Sequence, residues 1–354
     1  MTSGRAIPSR GSCDVQTDPL DGFDFRADGF FLDAFGAPCV LLGTVEFTDF
    51  WNAFDACFSS PMGRKLIYAA TDAEEDILRG TQQIEFGKWF GRRRAASVLA
   101  TRPMSMGWGR FDDDRIHAPS NDALTVGFAL AHQEFLQRQR FALSWNQLSA
   151  DHISIELKPN QQAMTAPLSI NHLAWLSSND EDSATSRQHA VEIDHRGSTL
   201  YAGDARSFFL PVAVLQRLVC GLRGRPAVVV GDSSFLSLDG SIEEPDLFRA
   251  VVHAALAAYH RTDRPVYLQR TSDWAGHLTQ RISQRGFGRV EVLQSVLDND
   301  EASVFQIVSH LPAVVAGTVL GMWLRAHGKR GNASFSMVDG LLKMTVEESQ
   351  ISYE

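Results

Sequence analysis

No assembled catalytic or metal signature is present in this sequence, and its absences narrow the reading first. There are only four cysteines, Cys13, Cys39, Cys57 and Cys220, far apart, with no C-x-x-C pair and no histidine at ligand spacing. A thiolate metal site or a disulfide framework is therefore not expected. The apolar surroundings of Cys39 and Cys220 read as small core residues in a reducing, cytoplasmic setting. Long apolar runs are also missing. The longest, Leu311–Leu324, spans about 14 residues and contains Pro312, whereas a bilayer core takes ~20, so it reads as a buried helix and no membrane span is expected. Residues 1–20 are polar and read as a mobile tail, without the apolar centre of a secretory signal. A formal net charge of −9 disfavours a chain that neutralises a nucleic-acid backbone. The one dense basic triplet, Arg92-Arg93-Arg94, reads as a solvated helix face.

What is present is an ordinary globular composition, 44% hydrophobic and 21% charged, in a length that suits about two domains. The organising feature is an echo. Gly36-Ala37-Pro38-Cys39-Val40-Leu41-Leu42-Gly43 and Gly224-Arg225-Pro226-Ala227-Val228-Val229-Val230-Gly231 both read G-x-P-x-V-x-x-G, and a Phe follows each at the same distance, Phe47 and Phe235. Short apolar runs bounded by turn residues have the form of buried strands. Further landmarks recur in the same order: Arg64–Tyr68 and Arg264–Leu268 as next strands, then Thr71 and Thr271, Leu78 and Leu278, and finally Gly107-Trp108-Gly109-Arg110-Phe111 and Gly286-Phe287-Gly288-Arg289-Val290. The sequence predicts helices over Thr48–Ser59, Thr71 or Asp72 to about Leu99, His132–Leu148, Phe248–Tyr259 and Leu311–Leu324. It predicts strands at Leu124–Leu130, Ile153–Leu157, Val304–Val308 and Leu342–Val346. The expected organisation is a first unit over 21–158, a polar connector over 159–199 with a short ordered piece at His172–Trp175, and a second unit over 200–354. The fold class expected is α+β, one unit written twice and packed with pseudo-twofold symmetry; the competing view is two unrelated mixed halves.

At the G-aromatic-G-R element, with the strand, small-residue helix and final strand that follow, the pattern resembles the 4-vinyl reductase domain, related to the nitric-oxide-binding haem family and to subunits of the vesicle-trafficking transport particle. In the second copy the resemblance covers about Arg264–Glu348 and rests on Gly286–Val290, Gly317–Gly321 and Val346-Glu347. It implies an α+β unit with an enclosed small-molecule pocket or a dimer-like interface. The family's cysteines near the last strand have no counterpart in Gly331–Glu348, so zinc ligation of that kind is excluded and no cofactor is assigned. The ligand-contact candidates are Tyr68, Trp108, Tyr267, Phe287 and His310. Gly317 and Gly321 form a smooth helix strip suited to tight packing or to a subunit interface.

One enzymatic alternative stands beside this. Gly231-Asp232-Ser233 resembles the nucleophile block of SGNH hydrolases, with Asp273 and His277 as the remaining partners, although the D-x-x-x-H spacing is one residue longer than the family's. The first copy has Gly43-Thr44-Val45 at that place, which points to a turn. The expected function is a non-enzymatic ligand-sensing or scaffold protein, taking a small hydrophobic ligand and acting through a protein partner or a homo-oligomer.

Overall fold

The computed structural model describes residues 20–81, 91–176, 192–229, 235–298 and 300–349. In chain order the elements are β1 (Asp24–Phe25), β2 (Phe31–Leu32), β3 (Pro38–Gly43), α1 (Thr44–Asp55), α2 (Lys65–Gly80), α3 (Gly91–Ser105), β4 (Arg110–Phe111), β5 (Arg115–His117), α4 (Asp122–Gln137), β6 (Phe141–Ser149) and β7 (His152–Pro159). They continue as β8 (Ile193–Arg196), β9 (Thr199–Ala202), β10 (Ala205–Pro211), α5 (Val212–Cys220), β11 (Leu236–Leu238), α6 (Pro245–His260), α7 (Asp273–Arg281), β12 (Arg289–Gln294), β13 (Ala302–Val308), α8 (Pro312–His327), β14 (Gly331–Val338) and β15 (Leu341–Glu348). The protein is α+β, with antiparallel pairing throughout its sheets except for β11, which lies parallel to β14.

Three sheets form. The central one runs β1-β2-β3-β10-β9-β8, and β3 and β10 meet at its middle with Leu41 opposite Phe209. Both strands are buried along most of their length and run directly into a helix, β3 into α1 and β10 into α5. Each of those helices crosses to the far half of the chain: α1 packs on α6, and α5 on α2. The outer sheets share one strand order, β4-β5-β7-β6 and β12-β13-β15-β14, the second extended by β11. Behind each lies a helix pair, α2 with α4 and α6 with α8. One hydrophobic core runs from Phe23 to Val346 through both halves.

The two helix pairs touch by the same device. A Cβ on Gly127 of α4 would sit 2.5 Å from the Ile67 carbonyl and 2.8 Å from Ala70 Cβ; one on Gly317 of α8 would sit 2.3 Å from the Val252 carbonyl and 2.7 Å from Ala255 Cβ. Only glycine allows backbones this close. The G-aromatic-G-R elements match as well. Gly109 and Gly288 both adopt left-handed φ, +112° and +90°, with a backbone carbonyl against the missing Cβ.

Several sequence-based expectations need correction. Gly224–Val229 forms no strand: Ala227 makes a single bridge with Phe58, Val228 is 73% exposed, and residues 230–234 lie outside the described residues. The neighbour of β3 is β10, because Phe208-Phe209-Leu210 buries both faces between helices whereas Val228 and Val229 lie outside the core. Arg64–Tyr68 opens α2, where Leu66, Ala69, Ala70 and Ala73 recur at helical spacing, a period that a five-residue window hides. Thr71 is inside that helix, its hydroxyl donating to the Ile67 and Gly127 carbonyls. Leu124–Leu130 belongs to α4, capped by Asn121 accepting from the Leu124 amide at 3.2 Å. It reads apolar all round because it is enclosed between α2 and the β6–β7 hairpin. That helix ends at Gln137, and the rest of the expected helix, Phe141–Leu148, is strand β6. Arg264–Leu268 is irregular, and the span expected as connector contains β8 and a short 3-10 turn at Ala174–Leu176. No helix of the described residues is long and apolar enough to cross a membrane.

Candidate functional site

A cleft opens beside the second helix pair, where α1 of the first half meets α6, the end of α7 and α8. Phe47 and Phe50 from α1, Phe287 from the G-aromatic-G element and Val314 and Val315 from α8 supply apolar walls, and Tyr259 and Thr318 complete the lining, the Thr318 hydroxyl donating to the Val314 carbonyl at 3.0 Å. The walls enclose about 560 Å³, open mouth included, of which about 40 Å³ is wide enough to centre a water molecule. The cleft is therefore a narrow slot, mostly too tight for water, between walls that are largely apolar.

Charge gathers at one end of the slot. Arg285 donates to Glu46 Oε2 at 2.6 Å and Arg264 lies 3.9 Å from the same oxygen. Burial pushes the Glu46 carboxyl up, but Arg285 and Arg264 outweigh it and the net shift is downward. Arg281 lies beside these cations without a hydrogen bond or ion pair among the described residues. Burial, with repulsion from Arg264 and Arg285, lowers its pKa to about 10, so it stays cationic at neutral pH. Tyr259 is 4% exposed, and its hydroxyl finds no acceptor. Burial raises the pKa of that phenol against the pull of Arg325 and Arg281. The Arg325 guanidinium sits over the ring, 4.8 Å from its centroid, with its N–H groups committed to the backbone carbonyls of Tyr259, His260 and Arg264.

Among the described residues, the matching place in the first half is filled by Trp108 and Phe128. Glu74 lies four residues after Ala70 as Tyr259 lies four after Ala255, and Arg102 lies five before Gly107 as Arg281 lies five before Gly286. There Arg102 binds Glu74 through two bonds, 2.6 and 2.9 Å, and reaches Asp33 at 2.8 Å. His132 Nε2 lies 2.9 Å from Glu74 Oε1. Burial alone would raise the Glu74 carboxyl, but Arg102 and the His132 contact hold it down to about 2. The guanidinium is wedged between the Phe35 and Trp108 rings, 4.3 and 5.3 Å from their centroids. Trp108 stacks on Phe128 at 3.8 Å and donates to the Phe209 carbonyl at 2.7 Å. Phe128 follows Gly127 as Thr318 follows Gly317, so the smaller residue removes the ring that fills this space in the first half. A second set of charges, Glu75, Glu134, Arg79 and Arg140, borders the first.

Of the residues singled out from the sequence, Phe287 alone lines the slot. Trp108 is fully buried under Phe128 and leaves no room beside it. Tyr68 is 53% exposed on a separate groove between α2 and α5, and Tyr267 is 79% exposed. His310 lies against the Phe30 ring at 4.6 Å. Gly317 and Gly321 are covered by α6 of the same chain, Gly321 by the Tyr259 ring, which removes them as a subunit interface. Ser233 lies outside the described residues. Asp273 accepts from the Gln269 and Arg270 amides at 2.8 and 3.0 Å, and His277 Nε2 lies 3.2 Å from the Tyr267 carbonyl. The sequence reading passed over Glu46, Tyr259 and Arg281. The R-x-x-x-R spacing of Arg281 and Arg285 just before Gly286 was the available signal. Among the described residues no group of His, Cys, Asp or Glu is placed to hold a metal ion. No family model, curated protein or solved structure matches this chain.

Proposed function

We propose that this protein binds a small, largely apolar ligand in the second-half slot without transforming it, and passes the bound state to a protein partner or a second copy. The observation that carries the reading is the contrast at matched positions: the first half is plugged by Phe128 and a closed ion cluster, and the second is left open by Thr318 with donors unused. On this reading the chain holds two descendants of one α+β unit, similar to the 4-vinyl reductase domain, packed with pseudo-twofold symmetry in a cytoplasmic protein. The shared strand order of the outer sheets, the twin glycine contacts and the crossing of α1 and α5 support the duplication. One half serves as a rigid support and the other as the receptor. A phenylalanine at position 318 restores the ring that closes the first half. Thr318→Phe should therefore abolish displaceable binding of a fluorescent apolar probe by the purified protein while leaving its thermal midpoint within a few degrees. Undiminished probe binding by a folded Thr318→Phe protein would remove the slot as the site.

A further inference from the structure

The ligand's chemistry is written at the charged end of the slot. Three guanidinium groups, those of Arg264, Arg281 and Arg285, surround one carboxylate, Glu46, which engages Arg285 at 2.6 Å and Arg264 at 3.9 Å and leaves Arg281 without a carboxylate partner among the described residues. Arg281 presents its forked donors unengaged. The adjoining Tyr259 is 4% exposed, with a hydroxyl that no acceptor among the described residues meets. A buried hydroxyl without an acceptor is unfavourable in a finished site, as is surplus positive charge beside it. Both deficits are met by one kind of group, a multi-atom oxyanion, which takes paired N–H donors from arginine and a further O–H from the phenol. The remaining walls, Phe47, Phe50 and Val314 among them, are apolar apart from Thr318, whose hydroxyl is taken up by the Val314 carbonyl, and they suit a hydrocarbon body.

Resting on the slot being a ligand site, we infer that its ligand is an amphipathic oxyanion, a carboxylate or phosphate head seated against Arg281 and Tyr259 with an apolar tail running along α1 and α8. The first half explains why no such ligand is needed there: Glu74 supplies the oxyanion from within the chain. The slot in the second half is the same arrangement with the carboxylate left to be brought in.

The test compares octanoate, octyl phosphate and octanol by calorimetric titration of the full chain at neutral pH and low salt. At least one of the anions should bind more tightly than octanol by roughly tenfold or more, the worth of a charge-assisted bond. The tighter of the two then identifies the head as carboxylate or phosphate. Arg281→Gln should erase the preference of the anions over octanol, measured as the ratio of their affinities in the same variant, and Tyr259→Phe should reduce that ratio by several-fold. Equal binding of all three probes, or a preference that survives Arg281→Gln, would overturn the inference while leaving the apolar slot intact as a site. Failure of all three probes to bind would overturn the slot reading with it.

Discussion

The two halves of this molecule solve one packing problem in opposite ways. At the junction of the helix pair and the G-aromatic-G element, the first half seals the space with aromatic rings and internally neutralised charge. The second half, on the same strand order and the same glycine contact, leaves a slot and unengaged donors. The difference comes from few positions, Phe128 against Thr318 and Glu74 against Tyr259. A shared strand order and a shared glycine contact therefore do not decide whether a pocket exists. Side-chain volume and charge balance at two or three positions do.

The sharpest way to break the comparison is Arg102→Met. Removing the cation strands Glu74 and Asp33, both essentially inaccessible, and a buried ion pair broken on one side costs ~3–5 kcal/mol. Urea unfolding should show that loss in the midpoint, and an effect under ~1 kcal/mol would mean the cluster is solvated and the first half is not closed.

The acid response sharpens the same point. Glu74 is held down to about 2 in the folded chain from an ordinary 4.5, so the unfolded chain binds the proton more readily and stability falls as pH is lowered. The contribution is fully present above pH 4.5 and is lost between there and about pH 2. Thermal midpoints of the native protein and Glu74→Gln, measured from pH 6 downwards, should converge towards acid. Parallel curves would show that Glu74 is not the group responsible.

The mildest comparison is a matched pair, Gly127→Ala and Gly317→Ala. Each adds a methyl against a backbone carbonyl closer than 2.6 Å, and overpacking of this kind costs ~1–3 kcal/mol. Equal losses on thermal unfolding would show two equivalent seams. A smaller loss at Gly317 would show that the slot beside α8 lets its helix shift.

Parts of this were legible beforehand. The strands Ile153–Leu157, Val304–Val308 and Leu342–Val346 and the helices around Phe248–Tyr259 and Leu311–Leu324 stand out because alternation or helical spacing runs over their full length. The G-aromatic-G-R pair was found for a related reason, since left-handed glycines leave a fixed mark. The G-x-P echo misled. Val228-Val229 has the composition of a buried strand but is held outside the core, and the true neighbour of β3, Ala205–Pro211, shares its burial without its letters. The slot was hidden for another reason. Glu46, Tyr259, Arg281 and Thr318 come from separate helices spread over most of the chain, and no local spacing announces that they meet.

By itself the amino-acid order determined the α+β class, the recurrence of a glycine-bracketed aromatic followed by arginine, the scarcity of thiols and the net negative charge, because each depends on composition or on short-range periodicity. Only the tertiary structure decided which recurrence is real in space, that α1 and α5 exchange partners across the central sheet, and that one half is plugged while its counterpart is open. Those outcomes depend on distant side chains competing for the same volume and on which buried charges find a partner, and neither is a property of any single stretch of the chain.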